Sequence, residues 1–257
     1  MAINKDSNGF TFLFSTIMVI VVGALLAFLF LSWKPMFDKN DADKKMMDVL
    51  AAINVESDRN NAEELFKKYV KESIALKFDG TIDEETDGFK LDVKKNYKSG
   101  TSKLVQSYKG DRPKLMEEVG KLDDQRYPLF IAEKDGEKYY VMPMVGTGLW
   151  GPIWGYVSVG KDFNTIYGAS FDHKTETPGL GAEIKESFFE EPFQGQQIYN
   201  MKNEYVSISV EKGGAEAGNK HQVDGITGGT ITSNGVDEML YRTIKIYTNH
   251  FNKIKGE

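Results

Sequence analysis

Three threonines flank a pair of glycines between His221 and Gly235: Thr227, Gly228, Gly229, Thr230 and Thr232. The loop lies just ahead of a stretch with helical apolar spacing. A helix N-terminus offers free N–H donors and the positive end of a dipole, so hydroxyls and flexible backbone there suit a phosphate. The loop is not a P-loop, because the Gly-Lys-Ser/Thr ending is missing. It also lacks the three spaced glycines of the dinucleotide fingerprint. The residues alone give a phosphate-friendly loop of low specificity.

Two other segments could carry chemistry. From Gly146 to Tyr156 the chain holds Leu149, Trp150 and Trp154 among four glycines. A planar ring ligand needs such flat apolar surface beside open backbone. A buried aromatic corner has the same composition. From His173 to Glu183 runs a turn containing Glu176, Thr177, Pro178, Gly179, Leu180 and Gly181. Its backbone amides and the Thr177 hydroxyl would suit the acceptor-rich edge of a heterocycle. A plain strand-to-helix turn explains it equally well.

Other chemistries are excluded or unsupported. The chain has no cysteine, which removes disulfides, thiolate metal sites and cysteine nucleophiles. His173, His221 and His250 lack metal-ligand spacing and read as surface or structural residues. No G-x-S-x-G motif occurs. The paired acids Glu84-Glu85 and Glu190-Glu191 read as exposed charge. The net charge of -6 and the scattered lysines argue against a nucleic-acid partner.

The elements that would position these segments begin with an anchor. No charge occurs from Ser7 to Trp33, which is long enough for a bilayer-spanning helix of roughly 20 residues. A cleaved signal peptide would have a basic start, a shorter apolar core and a small-residue cleavage site. A retained span fits better. It holds no ionisable residue, so it reads as an anchor or packing surface, with Gly23, Ala24 and Ala27 as a close-contact face. Counting Lys34, Lys39, Lys44 and Lys45 against Lys5 would put the soluble part in the cytoplasm, but large domains translocate regardless of such counts.

Pro35 is expected to end the span and open a polar connector. Lys44 to Ile53 then reads as a short helix. A second helix is expected from Ala62 to Ile74, with Asn61 and Glu64 resembling a capping box. Tyr127 to Glu133 and Lys138 to Val145 read as a hairpin around Asp135-Gly136. Trp154 to Gly160 and Ile166 to Asp172 read as further strands. A last helix is expected from Val236 to Ile254, capped by Ser233 or Asn234. Its inner face would carry Val236, Leu240, Ile244, Tyr247 and Phe251. Hydrophobic residues make up 40% of the 257, enough to build a core. The class is α+β.

These three segments, in this order behind one span, resemble the NqrC family of the sodium-translocating NADH:quinone reductase. The run from Asp224 to Thr230 matches that family's flavin-attachment pattern, Asp-x-x-Ser/Thr-Gly-Ala-Thr. Gly229 stands where alanine is usual, which is expected to loosen the loop. Glu176 to Gly181 resembles the family's flavin-side loop. RnfG, the FMN-carrying relative in Rnf-type electron-transport complexes, is a related alternative that the Gly146 to Trp150 segment resembles less. A membrane-anchored binding module without redox chemistry is the alternative of another class.

The resemblance implies covalent FMN, its phosphate esterified to Thr230 by a flavin transferase. Asp224, Thr227, Gly228, Gly229, Thr232, Glu176, Thr177, Gly179, Leu180, Gly181, Trp150 and Leu149 would surround the cofactor. No side chain would serve as a catalytic acid, base or nucleophile, and no metal is implied. The chain would relay electrons towards quinone while the complex moves sodium. The partners implied are an NADH-oxidising FAD/iron–sulfur subunit, membrane subunits and a second FMN-carrying subunit. The expected layout is a tail over 1–9, a transmembrane helix over 10–33, a connector with a short helix over 34–60, and one extracytoplasmic FMN-binding domain over 61–257. That domain would hold an antiparallel sheet flanked by helices, on the outer side of a bacterial inner membrane.

Overall fold

A computed structural model describes residues 7–255. The first six residues of the expected tail lie outside this range. Helix α1 spans Asn8–Ala51 and is 44 residues long. At 1.5 Å per residue that is about 66 Å, twice a hydrocarbon core of about 30 Å. Among the described residues it is the one helix long and apolar enough to cross a membrane, compatible with a single-pass anchor.

The expected break at Pro35 does not occur. Proline lies inside α1, and Lys44 onward continues the same helix. A proline removes one backbone hydrogen bond, but the residues around it, among them Lys34, Met36, Phe37 and Lys39, carry no glycine that would finish the break. The helix ends instead at Ala51, and the chain turns through Asn54, whose φ is +54°. There Val55 N–H returns to the Leu50 carbonyl at 3.0 Å, as expected of a left-handed C-terminal stop.

The chain divides into two compact units, the second beginning at Met46 rather than near residue 61. The reason is burial. Val49, Leu50, Ala52 and Ile53 are all fully buried. Lys134 then donates from Nζ to the Ile53 and Asn54 carbonyls at 3.1 and 2.9 Å, a favourable cation for a helix C-terminus.

Helix α2 covers Ala62–Tyr69 and β1 follows at once over Val70–Leu76. The expected helix to Ile74 is therefore cut short. Val70 to Leu76 pairs with the strand β2, Tyr127–Lys134, and that pairing overrides a helical spacing of apolar residues. Asn61 makes no side-chain cap bond to α2, so the capping box is not formed. Three short helices come next: α3 over Val93–Ser99, α4 over Thr101–Ser107 and α5 over Arg112–Val119. Strands β3 (Glu137–Thr147), β4 (Pro152–Val159) and β5 (Ile166–His173) complete a five-stranded antiparallel meander in the order β1 to β5. After the short helix α6 (Ser187–Glu190), β6 (Ser209–Glu211) and β7 (Gln222–Asp224) pair in parallel. Helix α7 then runs from Thr230 to Ile254.

The period-two alternation of strands separates two cores. Leu129, Met142, Met144, Ile153 and Val157 face α7, packing with Val236, Leu240, Ile244, Tyr247 and Phe251. Phe130, Val141 and Tyr156 face the other way, onto Leu50 and Ile53 of the first helix's end and Leu65 and Phe66 of α2. Trp154 packs on that second face. It does not share a surface with Trp150, as the sequence suggested.

Two prolines open the middle of the sheet. Pairing of β2 with β3 stops at Phe130 and Val141, and Pro128 and Pro143 lie just beyond. The Tyr247 hydroxyl enters the gap and donates towards the Pro128 carbonyl at 2.6 Å and the Pro143 carbonyl at 3.2 Å. Burial pushes this phenol well above its ordinary pKa, so it remains a donor. Buried Arg242 donates to the Val145 carbonyl at 2.7 Å and pairs with Glu238. Both side chains satisfy carbonyls that the sheet leaves unpaired.

Leu50→Ala should lower the unfolding free energy by roughly 2–5 kcal/mol, as for other buried leucines. Ala51→Ser, at the exposed neighbouring position, should change it by less than about 0.5 kcal/mol. Urea denaturation of the full-length protein in detergent checks both. Equal midpoints would remove this turn from the domain core.

Candidate functional site

The three glycine-bearing segments meet at one end of the sheet. The turn between β3 and β4 closes with Gly148 N–H on the Gly151 carbonyl at 2.8 Å. It leaves Leu149 and Trp150 48% and 65% exposed, unusual for such residues. The segment after β5 turns through Gly179, at φ +76°. The Thr177 carbonyl accepts from Leu180 and Ala182 N–H, and Gly179 N–H donates to Glu183 Oε1 at 2.7 Å. The loop after β7 turns through Gly228, at φ +77°, and enters α7.

Glu176 joins the three. It is buried, and its Oε1 accepts from Trp150 N–H at 2.8 Å while its Oε2 accepts from the Thr232 hydroxyl at 2.6 Å. Two glycines make room for the carboxylate. A Cβ on Gly148 would lie 2.6 Å from Oε1, and one on Gly181 would lie 2.5 Å from Oε2 and 2.4 Å from Thr232 Oγ1. Thr175 adds a bond from its hydroxyl to the Trp150 carbonyl at 3.0 Å. Glu176 N–H donates to His173 Nδ1 at 3.1 Å, which places the ring proton of a neutral His173 on Nε2.

The loop at Gly228 and Gly229 is packed, not loose. A Cβ on Gly229 would meet the Ile226 side chain at 2.9 Å. The space an alanine methyl would take is filled by Ile226, so the glycine and the isoleucine act together. Leu180 lies against Gly228, where a Cβ would approach it to 2.6 Å. Ser233 does not cap α7. Its hydroxyl accepts from Ile226 N–H at 2.9 Å, and its own N–H reaches the Gly229 carbonyl. The helix therefore begins nearly two turns before the expected Val236, with Gly229 as its flanking residue. Thr230 is its first residue. The N–H groups of Thr230, Ile231 and Thr232 have no acceptor within the helix, as at any helix start.

The three threonines are now distinct. The Thr232 hydroxyl is buried and committed to Glu176. Thr227 is exposed on the loop. Thr230 is half-buried, makes no side-chain hydrogen bond among the described residues, and lines a pocket with Lys212, Gly228, Ser233 and Asn234. Lys212 was missed by sequence reasoning. The only signal was its position before the turn residues Gly213 and Gly214.

Asp224 stands apart from this pocket. Its Oδ1 accepts from Ala215 N–H at 2.6 Å, tying down the turn that carries Lys212. The remaining histidines have structural partners: His221 Nδ1 lies 2.6 Å from the Gln197 carbonyl, and His250 Nδ1 lies 2.9 Å from the Gly80 carbonyl. Glu190, expected as exposed charge, accepts from Phe171 N–H at 2.5 Å.

Gly181→Ala should force the Glu176–Thr232 contact apart and destabilise the domain by roughly 1–3 kcal/mol, the range for overpacking. Gly179→Ala should leave that contact intact, because a Cβ there meets nothing within 4 Å, although its positive φ will cost some stability. Proteolysis of the 173–183 segment, followed by mass spectrometry, distinguishes the two. Faster cleavage is expected for the first variant alone.

Comparison with known proteins agrees with this geometry. Residues 148–245 match the family model of the FMN-binding domain. NqrC of the Na(+)-translocating NADH-quinone reductase from Vibrio anguillarum is 30% identical over 76% of this chain and 73% of the relative. That from Haemophilus ducreyi is 29% identical over 91% of this chain and 88% of the relative. The crystal structure of the corresponding protein from Parabacteroides distasonis superposes with a TM-score of 0.70 at 38% identity, covering 84% of this chain and 96% of that one. NqrC of Shewanella oneidensis gives a TM-score of 0.67 at 26% identity, covering 84% and 98%. The chain belongs to the NqrC family of the Na(+)-translocating NADH-quinone reductases.

Proposed function

We propose that this chain carries FMN joined through its phosphate to Thr230 Oγ1, and relays electrons within a sodium-translocating NADH-quinone reductase. The observation that carries the attachment is the contrast among the threonines. Thr232 already spends its hydroxyl on Glu176. Thr230 has a free hydroxyl on the first residue of a 25-residue helix, beside a pocket. The free N–H groups and dipole of that helix end favour the negative phosphodiester that the ester would create.

The residues fit the rest of the cofactor. Leu149, Trp150 and Leu180 give exposed apolar surface around the loop, and Gly228 is exposed backbone beside Thr230. FMN supplies the electron chemistry when bound, and the protein supplies position and field. In this reading a flavin transferase makes the bond from a flavin dinucleotide: the Thr230 Oγ1–P bond forms as the donor's P–O–P bond breaks, the other nucleotide leaves as its monophosphate, and the hydroxyl proton passes to solvent. Asp224 contributes by fixing the turn of Lys212, not by touching the cofactor. The domain, from Met46 onward, lies outside the cytoplasm of a bacterial inner membrane. The other subunits of the complex give and take its electrons and move sodium. The uncharged span supports that division, since it offers no ion ligand.

Thr230→Val should abolish covalent flavin while leaving the fold intact, because the side chains are nearly isosteric. Protein co-expressed with a flavin transferase is denatured, run on a gel and read by flavin fluorescence, with intact mass as the second measure. Wild-type protein without fluorescence or added mass sinks the covalent reading. Flavin retained in the variant moves the attachment to Thr227.

A further inference from the structure

The centre of the site holds a charge that its mechanical role does not require. Glu176 is 5% exposed and has two neutral donors, a backbone N–H and a hydroxyl. Among the described residues its carboxylate forms no ion pair. Elsewhere in this domain Glu238 is paired with Arg242 and Asp83 with Arg126. Burying a carboxylate without a cation is costly. A glutamine could do the joining. Its carbonyl would accept from Trp150 N–H, and its amide would donate to Thr232, whose hydroxyl can turn from donor to acceptor. What the carboxylate adds beyond the joint is a fixed negative field.

We propose that Glu176 is a positioning residue whose charge also lowers the reduction potential of the flavin carried at Thr230. The inference rests on the covalent-flavin reading above. Glu176 binds Trp150 on one rim and Thr232 two residues from the attachment point. Gly181, packed against its Oε2, also borders Gly229. Any ring tethered at Thr230 and resting on this rim lies within reach of the field. An electron arriving from an upstream one-electron carrier oxidises that carrier and adds one negative charge to the flavin, until a proton follows from solvent. The carboxylate opposes that added charge. Unit charges about 10 Å apart, at an effective permittivity of about 20, shift such an equilibrium by roughly tenfold.

The test is a spectroelectrochemical titration of full-length protein, flavinylated by co-expression with a transferase and purified in detergent. Glu176→Gln should retain flavin and favour the reduced form by about tenfold or more, which is about 59 mV in the positive direction for a one-electron couple. Glu176→Asp keeps the charge and should stay near the wild-type potential. An unchanged potential in Glu176→Gln, or an equal rise in Glu176→Asp, overturns the proposal. If Glu176→Gln carries no flavin, redox-difference infrared spectra of the wild type decide. A carboxylate stretch that shifts on reduction supports the field, and a silent carboxylate region overturns it. Wild-type protein lacking flavin strikes at the covalent reading itself. A flavinylated pair with equal potentials strikes at Glu176 alone.

Discussion

One carboxylate joins residues 150, 176 and 232 of this chain. Each of its two bonds is charge-assisted, worth about 1.5–3 kcal/mol. Ordering a single loop residue costs about 1–2 kcal/mol of backbone entropy, so Glu176 alone could not hold three loops. It selects one arrangement of loops whose ends the sheet and α7 already bring together. The β3–β4 turn, the end of β5 and the start of α7 all lie at the same end of the layer. Gly235 helps them meet. A Cβ there would lie 2.2 Å from the Thr147 carbonyl, so only glycine lets the helix pass the end of β3 so closely.

The sheet divides the domain's work between its faces. The α7 face leads directly to the loop at Gly228 and Gly229, because the helix that fills that core starts at Thr230. The opposite face takes the last turn of α1 and the side chains of α2. Lys134 belongs to this second arrangement, capping the α1 end. The two cores share strands but not side chains, since neighbouring residues such as Leu129 and Phe130 point to opposite sides.

Much of the fold was legible because it was local. The Asp135-Gly136 turn and the alternation on either side gave the hairpin to within a residue or two. The inner face of α7 could be read from spacing alone. The elements that went unread depend on distant partners. Val70 to Ile74 has helical spacing but becomes a strand because Tyr127 to Ala132 lies beside it. The short helices α3 to α5 have few apolar residues to mark them, although Asp92 and Asp111 accept from backbone N–H groups at their starts. Pro35 was over-read, since one missing donor does not end a helix. At the site, the glycines and threonines were visible as types. The joint between Glu176 and Thr232 was not, because the two are 56 residues apart. The role of Lys212 stayed hidden for the same reason.

The start of α7 has a further consequence. Its later turns are core: Tyr247 bridges two strands through its hydroxyl, and Phe251 is 1% exposed. A prosthetic group on the first residue of such a helix has no swinging arm. Carriers that shuttle between distant stations hang their cofactor on a long flexible stalk. Here the stalk would be only the cofactor's own sugar-like chain, bolted to a rigid beam. If the flavin is carried at Thr230 as proposed, its donor and acceptor must cluster around one nearly stationary point or be brought to it in turn.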